Sequence, residues 1–193
     1  MNFNRGAVRL QEKEIIQSRL SFWMLILIVI VHVLFAAISF SGLPDKIPVH
    51  FNAAGQADRF SETGIGSWFL LWFMSAGMAG LIAWIAQIMH RIPMDYINIP
   101  RKEEFLTLPE ESRIRVFLCI KNHLMYFGCL MSSFFFALHI FINLAATGKS
   151  DGLPPVVLWG GTLAIVVYGF ALWFISNSAI KKELEIHRHS STR

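Results

Sequence analysis

Charge and sulfur are both scarce in this sequence. Of its 193 residues only 16% are Asp, Glu, Lys or Arg, where a soluble domain carries about 25%. The two cysteines, Cys119 and Cys129, share one apolar segment. On a helix their separation is roughly 15 Å, too far for a disulfide. No CxxC or Cys/His zinc spacing appears, nor any HExxH or GxSxG element that would supply a metal site or a nucleophile. There is no internal repeat of the kind that builds inverted-repeat transporters, and no lipidation signature. These absences exclude a disulfide-stapled secreted domain. The 54% of hydrophobic residues, lying in long unbroken runs, exclude a soluble globular domain and a disordered chain.

What is present is four apolar blocks. They occupy residues 21–40, 67–89, 117–146 and 155–177, and each reaches the roughly 20 residues that a spanning helix needs. Block one is too long for the apolar core of a cleaved signal, which runs about 7–15 residues. The expected fold is therefore all-α and integral to a membrane: a four-transmembrane-helix bundle forming a single membrane domain over residues 1–193. Its principal partner is the lipid bilayer.

Basic residues set the orientation. Fourteen of the seventeen Lys and Arg fall in the N-terminal tail, the second connection (90–116, with Lys121 just beyond it) and the C-terminal tail (178–193). Lys46, Arg59 and Lys149 lie in the first connection (41–66) and the third (147–154). Both termini are expected in the cytoplasm, and the first connection outside. The formal charge of +4 flanks apolar blocks and forms no basic patch with interleaved aromatics, so no nucleic-acid partner is expected. Gln11–Arg19 reads as a short interfacial helix, and the C-terminal tail as a solvated basic segment near lipid headgroups.

Polar positions inside the blocks should face the bundle interior. In block three, Asn122, Met125, Cys129, Ser132, Phe136, His139 and Asn143 recur at three- and four-residue steps. His139 and Asn143, one turn apart near the outer end, are candidate ligand-binding residues. His32 in block one reads as a neutral imidazole bonded to a neighbouring helix, and His123 with Lys121 as interfacial. Small residues in block two (Ala76, Gly80, Ala83, beside Gln87) and in block four (Gly160, Ala164) read as close-packing positions.

The first connection is the most specific segment. Leu43–Phe60 reads LPDKIPVHFNAAGQADRF. Pro44 and Pro48 favour extended backbone before them. Alternation over Ile47–Asn52 puts Ile47, Val49 and Phe51 on one face and Pro48, His50 and Asn52 on the other. Ala53–Gln56 reads as a turn with Gly55 at positive φ. The chain would return through Ala57–Phe60 as the second arm of a hairpin, bringing Asp58 back toward His50. His50, Asn52, Gly55 and Asp58 then form one candidate ligand-binding unit, in which the carboxylate fixes the imidazole tautomer.

This loop resembles the hallmark of the uncharacterised membrane domain that opens SdpI-type bacterial membrane proteins. Pro44, Asp45, Ile47, Pro48, His50, Phe51, Asn52, Gly55 and Asp58 match its pattern in order and spacing. More loosely, Ile97–Arg115 resembles the cytoplasmic connection of four-span members. The resemblance implies a bacterial integral protein of the inner membrane. Well-known members of that group resist a secreted toxin and relay its presence to a transcription regulator. The glycine-arginine-threonine element of their immunity module is not visible in blocks three and four.

The function expected is a non-enzymatic receptor, immunity or signalling protein. It would sense an extracytoplasmic peptide or small molecule through the His50–Asn52–Gly55–Asp58 loop and offer a docking surface to a cytoplasmic protein. The alternatives are a metal-dependent or acid–base membrane enzyme using His50 and Asp58, and a small transporter built on the His32 and His139 stripes. No cofactor is required by the sequence.

Overall fold

The computed structural model describes residues 3–93 and 96–191, with side chains described for 15–89, 91–93 and 96–189. The side chains of Arg5, Arg9, Lys13 and Arg193, which contribute to the basic count, lie outside the described residues. In chain order the elements are α1 (Phe3–Phe40), β1 (Lys46–Phe51), β2 (Ala57–Glu62), α2 (Ile65–Trp68), α3 (Leu70–Ile88), α4 (Lys102–Leu106), α5 (Glu110–Ala146) and α6 (Pro155–Ser191). Segments of α1, α3, α5 and α6 are each long and apolar enough to cross a membrane, which makes this a multi-pass membrane protein. On α6, Trp159, Leu163, Val167, Phe170 and Phe174 are exposed along one face, a surface suited to lipid tails. Gln11–Arg19 is not a separate interfacial helix: its backbone is continuous with α1.

The chain divides into two compact units. One comprises Met24–Leu81 and Gly128–Val166. Its core joins Ala36 of α1, Ile47 of β1 and Trp68 of α2, with Phe40, Leu43, Phe69, Ile142 and Ala146 packed against them. Trp68 is buried, and its indole N–H donates to the Ala36 carbonyl at 2.9 Å. The Trp72 indole does the same to the Val29 carbonyl at 3.2 Å. Both bonds reach carbonyls of α1, the first from α2 and the second from α3, where it turns the Trp72 side of the helix toward α1. The buried row of α3 is consequently Ser75, Ala79, Ile82 and Ala86, not the Ala76–Gly80–Ala83–Gln87 face expected from small residues. On α6, Gly160 and Ala164 are exposed. Gly161 is the close-approach position, since a Cβ there would overlap the Phe134 ring. The small-residue pattern could not tell adjacent helical faces apart, whereas two indole N–H groups seeking acceptors could.

The other unit comprises Met1–Trp23, Ile82–Phe127 and Val167–Arg193. Here Phe105 of α4, Leu108, Val116 of α5 and Ile180 of α6 form a buried cluster. Pro109 precedes the first turn of α5, and Glu110 and Glu111 within that turn meet its positive dipole end. Arg115 binds Glu183 through two bonds, Nη2–Oε2 at 2.6 Å and Nε–Oε1 at 3.1 Å, and Nη2 also donates to Ser112 Oγ at 2.8 Å. The C-terminal segment is therefore not simply a solvated tail. Helix α6 continues to Ser191, and Ile180 and Glu183 are buried. The spacing Ser176–Ile180–Glu183 keeps one face inward past the end of the apolar block. His123, read as interfacial, places Nδ1 3.1 Å from the Tyr168 hydroxyl, and Lys121 donates to Gln87 Oε1 at 3.1 Å.

Candidate functional site

Strands β1 and β2 pair antiparallel with two irregularities. Pro48 faces Phe60 and His50 faces Arg59, so Val49 is an extra residue in β1. Phe51 then faces Ala57, so Asp58 is an extra residue in β2. Each bulge re-aims the side chains around it. The expected strict alternation over Ile47–Asn52 therefore fails: Ile47 and Pro48 are both buried, while Val49 is exposed. The same bulges bring Asp58 onto the His50 side, and His50 Nδ1 lies 2.5 Å from Asp58 Oδ1. The two side chains remain 50% and 45% exposed, so the pair is formed yet open to solvent.

Asn52 serves the turn. Its Oδ1 accepts from the backbone N–H of Ala54 and of Gln56, both at 3.0 Å, and its Nδ2 donates to Gln56 Oε1 at 3.1 Å. This is the local side-chain capping that Asn performs at reversals. Gly55 takes φ 81°, as a turn at this point requires. It also does something the sequence did not announce. Its carbonyl accepts the Leu153 N–H at 2.8 Å, and Gln56 forms an isolated bridge with Gly152. The Trp159 indole donates to the Ala53 carbonyl at 3.1 Å. The hairpin tip is thus pinned to the α5–α6 connection and to α6. At the hairpin base, Thr63 donates through its hydroxyl to the Pro44 carbonyl and through its N–H to the Asp45 carbonyl.

His139 is fully buried, but its partner is not Asn143. His139 Nδ1 lies 2.9 Å from His32 Nε2, across 107 positions of sequence. The Trp68 ring sits 4.3 Å from the His139 ring, centroid to centroid. Asn143 is half-buried, and its carbonyl accepts from the Thr147 N–H and hydroxyl at the end of α5. The candidate residues therefore fall into two places: His50 with Asp58, framed by Asn52 and Gly55, and His139 with His32. His32, read as a helix-bonded imidazole, does bond a neighbouring helix, and its partner, a second buried imidazole, makes the pair chemically distinctive.

With Asp58 ionised, His50 donates Nδ1–H to it and presents Nε2 as a lone pair. That nitrogen can accept a hydrogen bond from an amide, hydroxyl or ammonium, take a proton, or ligate a metal. Among the described residues no three His, Cys, Asp or Glu side chains converge. A metal at His50 would have to complete its shell with water or with groups of another molecule.

A family model described as a domain of unknown function, DUF1648, matches residues 26–75. This stretch holds His32, the whole hairpin with His50 and Asp58, Trp68 and Ser75, and it leaves out His139. No curated protein and no solved structure matches the chain.

Proposed function

We propose that this protein is a non-enzymatic receptor of the bacterial inner membrane, of SdpI-like type, acting in immunity or signalling. Its hairpin faces outward and takes an extracytoplasmic peptide or small molecule at His50 and Asp58. The observation that carries this reading is the 2.5 Å His50–Asp58 pair, half-exposed on a hairpin that is bonded at its base and pinned at its tip. Such a pair offers one oriented acceptor and one anionic edge, which suits a ligand carrying N–H or ammonium groups. The pinned tip keeps the site from rearranging as the ligand arrives. Val49 and Phe60, exposed on the same hairpin, offer apolar contact beside it. The bias of basic residues supports an outward hairpin, with cytoplasmic termini and a cytoplasmic second connection able to dock a protein partner. The resemblance of Pro44–Asp58 to the SdpI-type hallmark supports the receptor or immunity role.

A photoreactive amino acid at Arg59, opposite His50 in the register, tests this directly. In cells exposed to medium conditioned by competing bacteria, irradiation should give a discrete peptide or small-molecule adduct that is lost in His50→Gln. No adduct, or an adduct unchanged in His50→Gln, contradicts ligand binding at the pair. The same dyad also favours a second reading, an acid–base enzyme with His50 as the oriented base. Conversion of the captured ligand by purified protein would select that reading, and recovery of intact ligand would select the receptor.

A further inference from the structure

The second polar pair lies wholly inside one unit, and the hairpin chemistry does not use it. His32 and His139 are 0% and 1% exposed. They share one Nε2···Nδ1 bond of 2.9 Å. Their outer nitrogens, His32 Nδ1 and His139 Nε2, are buried with no hydrogen-bond partner among the described residues. The ring contacts around the pair, among the described residues, come from Phe35, Phe136 and Trp68. No charged side chain is among these contacts. The hydroxyls of Ser132, two turns before His139 on α5, and of Ser75 on α3 are likewise buried and unpartnered. Four orphaned polar atoms in one unit are costly to leave without a hydrogen bond. Buried polar atoms without a protein partner are the ones that internal water satisfies. A pair serving only to hold α1 against α5 would close its hydrogen bonds; this one leaves both ends open.

Proton bookkeeping then defines what the pair can do. Two neutral imidazoles carry two protons on four nitrogens, and one of those protons lies in the shared bond. If His139 Nδ1 donates it, His32 carries its proton on Nδ1 and His139 Nε2 is a bare lone pair. If His32 Nε2 donates it, the arrangement is mirrored. We propose that His32 and His139 form a proton relay inside the membrane-spanning region, fed by internal water at the two outer nitrogens. A proton arriving from protonated water binds the bare His139 Nε2. The shared proton moves from His139 Nδ1 to His32 Nε2, and the proton on His32 Nδ1 leaves to water on the other side. One proton enters and one departs, no charge remains, and the pair is left in its mirrored tautomer. Passage in the reverse direction resets it. The relay requires no ligand at His50 and Asp58, so either site can fail alone.

Nitrogen-15 NMR of histidine-labelled protein in lipid bilayers reads all of this on the unaltered chain. His32→Gln and His139→Gln serve to assign the two rings, and their thermal midpoints report on folding. The relay predicts a scalar coupling across the His32 Nε2···His139 Nδ1 bond. It predicts both tautomers of both rings, exchanging together, in a ratio that does not change with pH because the two arrangements hold the same number of protons. It also predicts outer N–H protons that exchange with deuterated solvent, with exchange at His32 slowed about tenfold or more in His139→Gln. Rings locked in one tautomer at every pH, or outer protons that do not exchange, would overturn the relay. So would exchange at His32 that is unchanged when His139 is replaced in a folded variant.

Discussion

The carbonyl of Gly55 and the N–H of Leu153 join the tip of the hairpin to the connection between α5 and α6 at 2.8 Å, bridging 98 positions of sequence. Gly55 meets two demands at once. Its φ of 81° lies where L side chains are strained, and a Cβ would overlap the Leu153 carbonyl oxygen. On the opposite side of the contact, Gly152 has φ 154°, and a Cβ there would overlap the Gly55 carbonyl.

Gly55→Ala should therefore cost about 1–3 kcal/mol through backbone strain and detach the tip as well. Hydrogen exchange at the Leu153 amide is the measurement that separates the two effects. Fast exchange at Leu153 with a global midpoint lowered by about 2–4 °C per kcal/mol of strain is expected, because undocking relieves the overlap with Leu153 while the strained φ remains. Protection at Leu153 equal to that of the parent would show that the pin does not depend on this glycine.

The Arg115–Glu183 pair is buried on both sides, 11% and 7% exposed. Removing one partner strands a charge, so Arg115→Ala or Glu183→Ala should each destabilise by about 3–5 kcal/mol. Replacing both by apolar residues of similar volume, Arg115→Met with Glu183→Leu, should recover most of that loss. A double-mutant cycle on thermal or denaturant unfolding in detergent measures the coupling. Additive losses would mean that the two side chains act separately.

Orientation is checked by single cysteines at Gln56, Lys102 and Ser150, introduced after Cys119 and Cys129 are replaced by alanine. A membrane-impermeant reagent added outside the cell should label positions 56 and 150 and leave 102 unlabelled. Labelling of 102 alone would invert the topology and remove the outward hairpin with it.

The four spans were legible in the sequence because a bilayer requires about 20 apolar residues in a row, and few other structures do. The hairpin was legible from Pro44, Pro48 and the Ala53–Gln56 turn, and so was the approach of Asp58 to His50. The route by which they meet was not. Alternation assumes a regular pleat, whereas Val49 and Asp58 are bulge residues, and a bulge leaves no signature in side-chain type. The Gly55–Leu153 pin and the His32–His139 pair were hidden for a different reason. Both join residues far apart in the chain, and local patterning carries no information about which distant group completes a hydrogen bond. Glu183 was missed within a basic tail, although its helical spacing from Ser176 and Ile180 marked it as inward-facing.

Receptor action at the hairpin is tested most directly by separating function from stability at His50. Glutamine keeps the size and a hydrogen-bonding end while removing the Nε2 lone pair that Asp58 orients. Cells expressing the parent, His50→Gln or Asp58→Asn would be challenged with medium from competing bacteria, with membrane levels and thermal midpoints measured in parallel. The expected result is that the parent improves survival or triggers a transcriptional response, while both variants lose it with midpoints within about 2–4 °C of the parent, a shift of well under 2 kcal/mol for a chain of this size. Undiminished function in folded His50→Gln protein, or a loss that tracks falling stability, would contradict a functional site at His50 and Asp58.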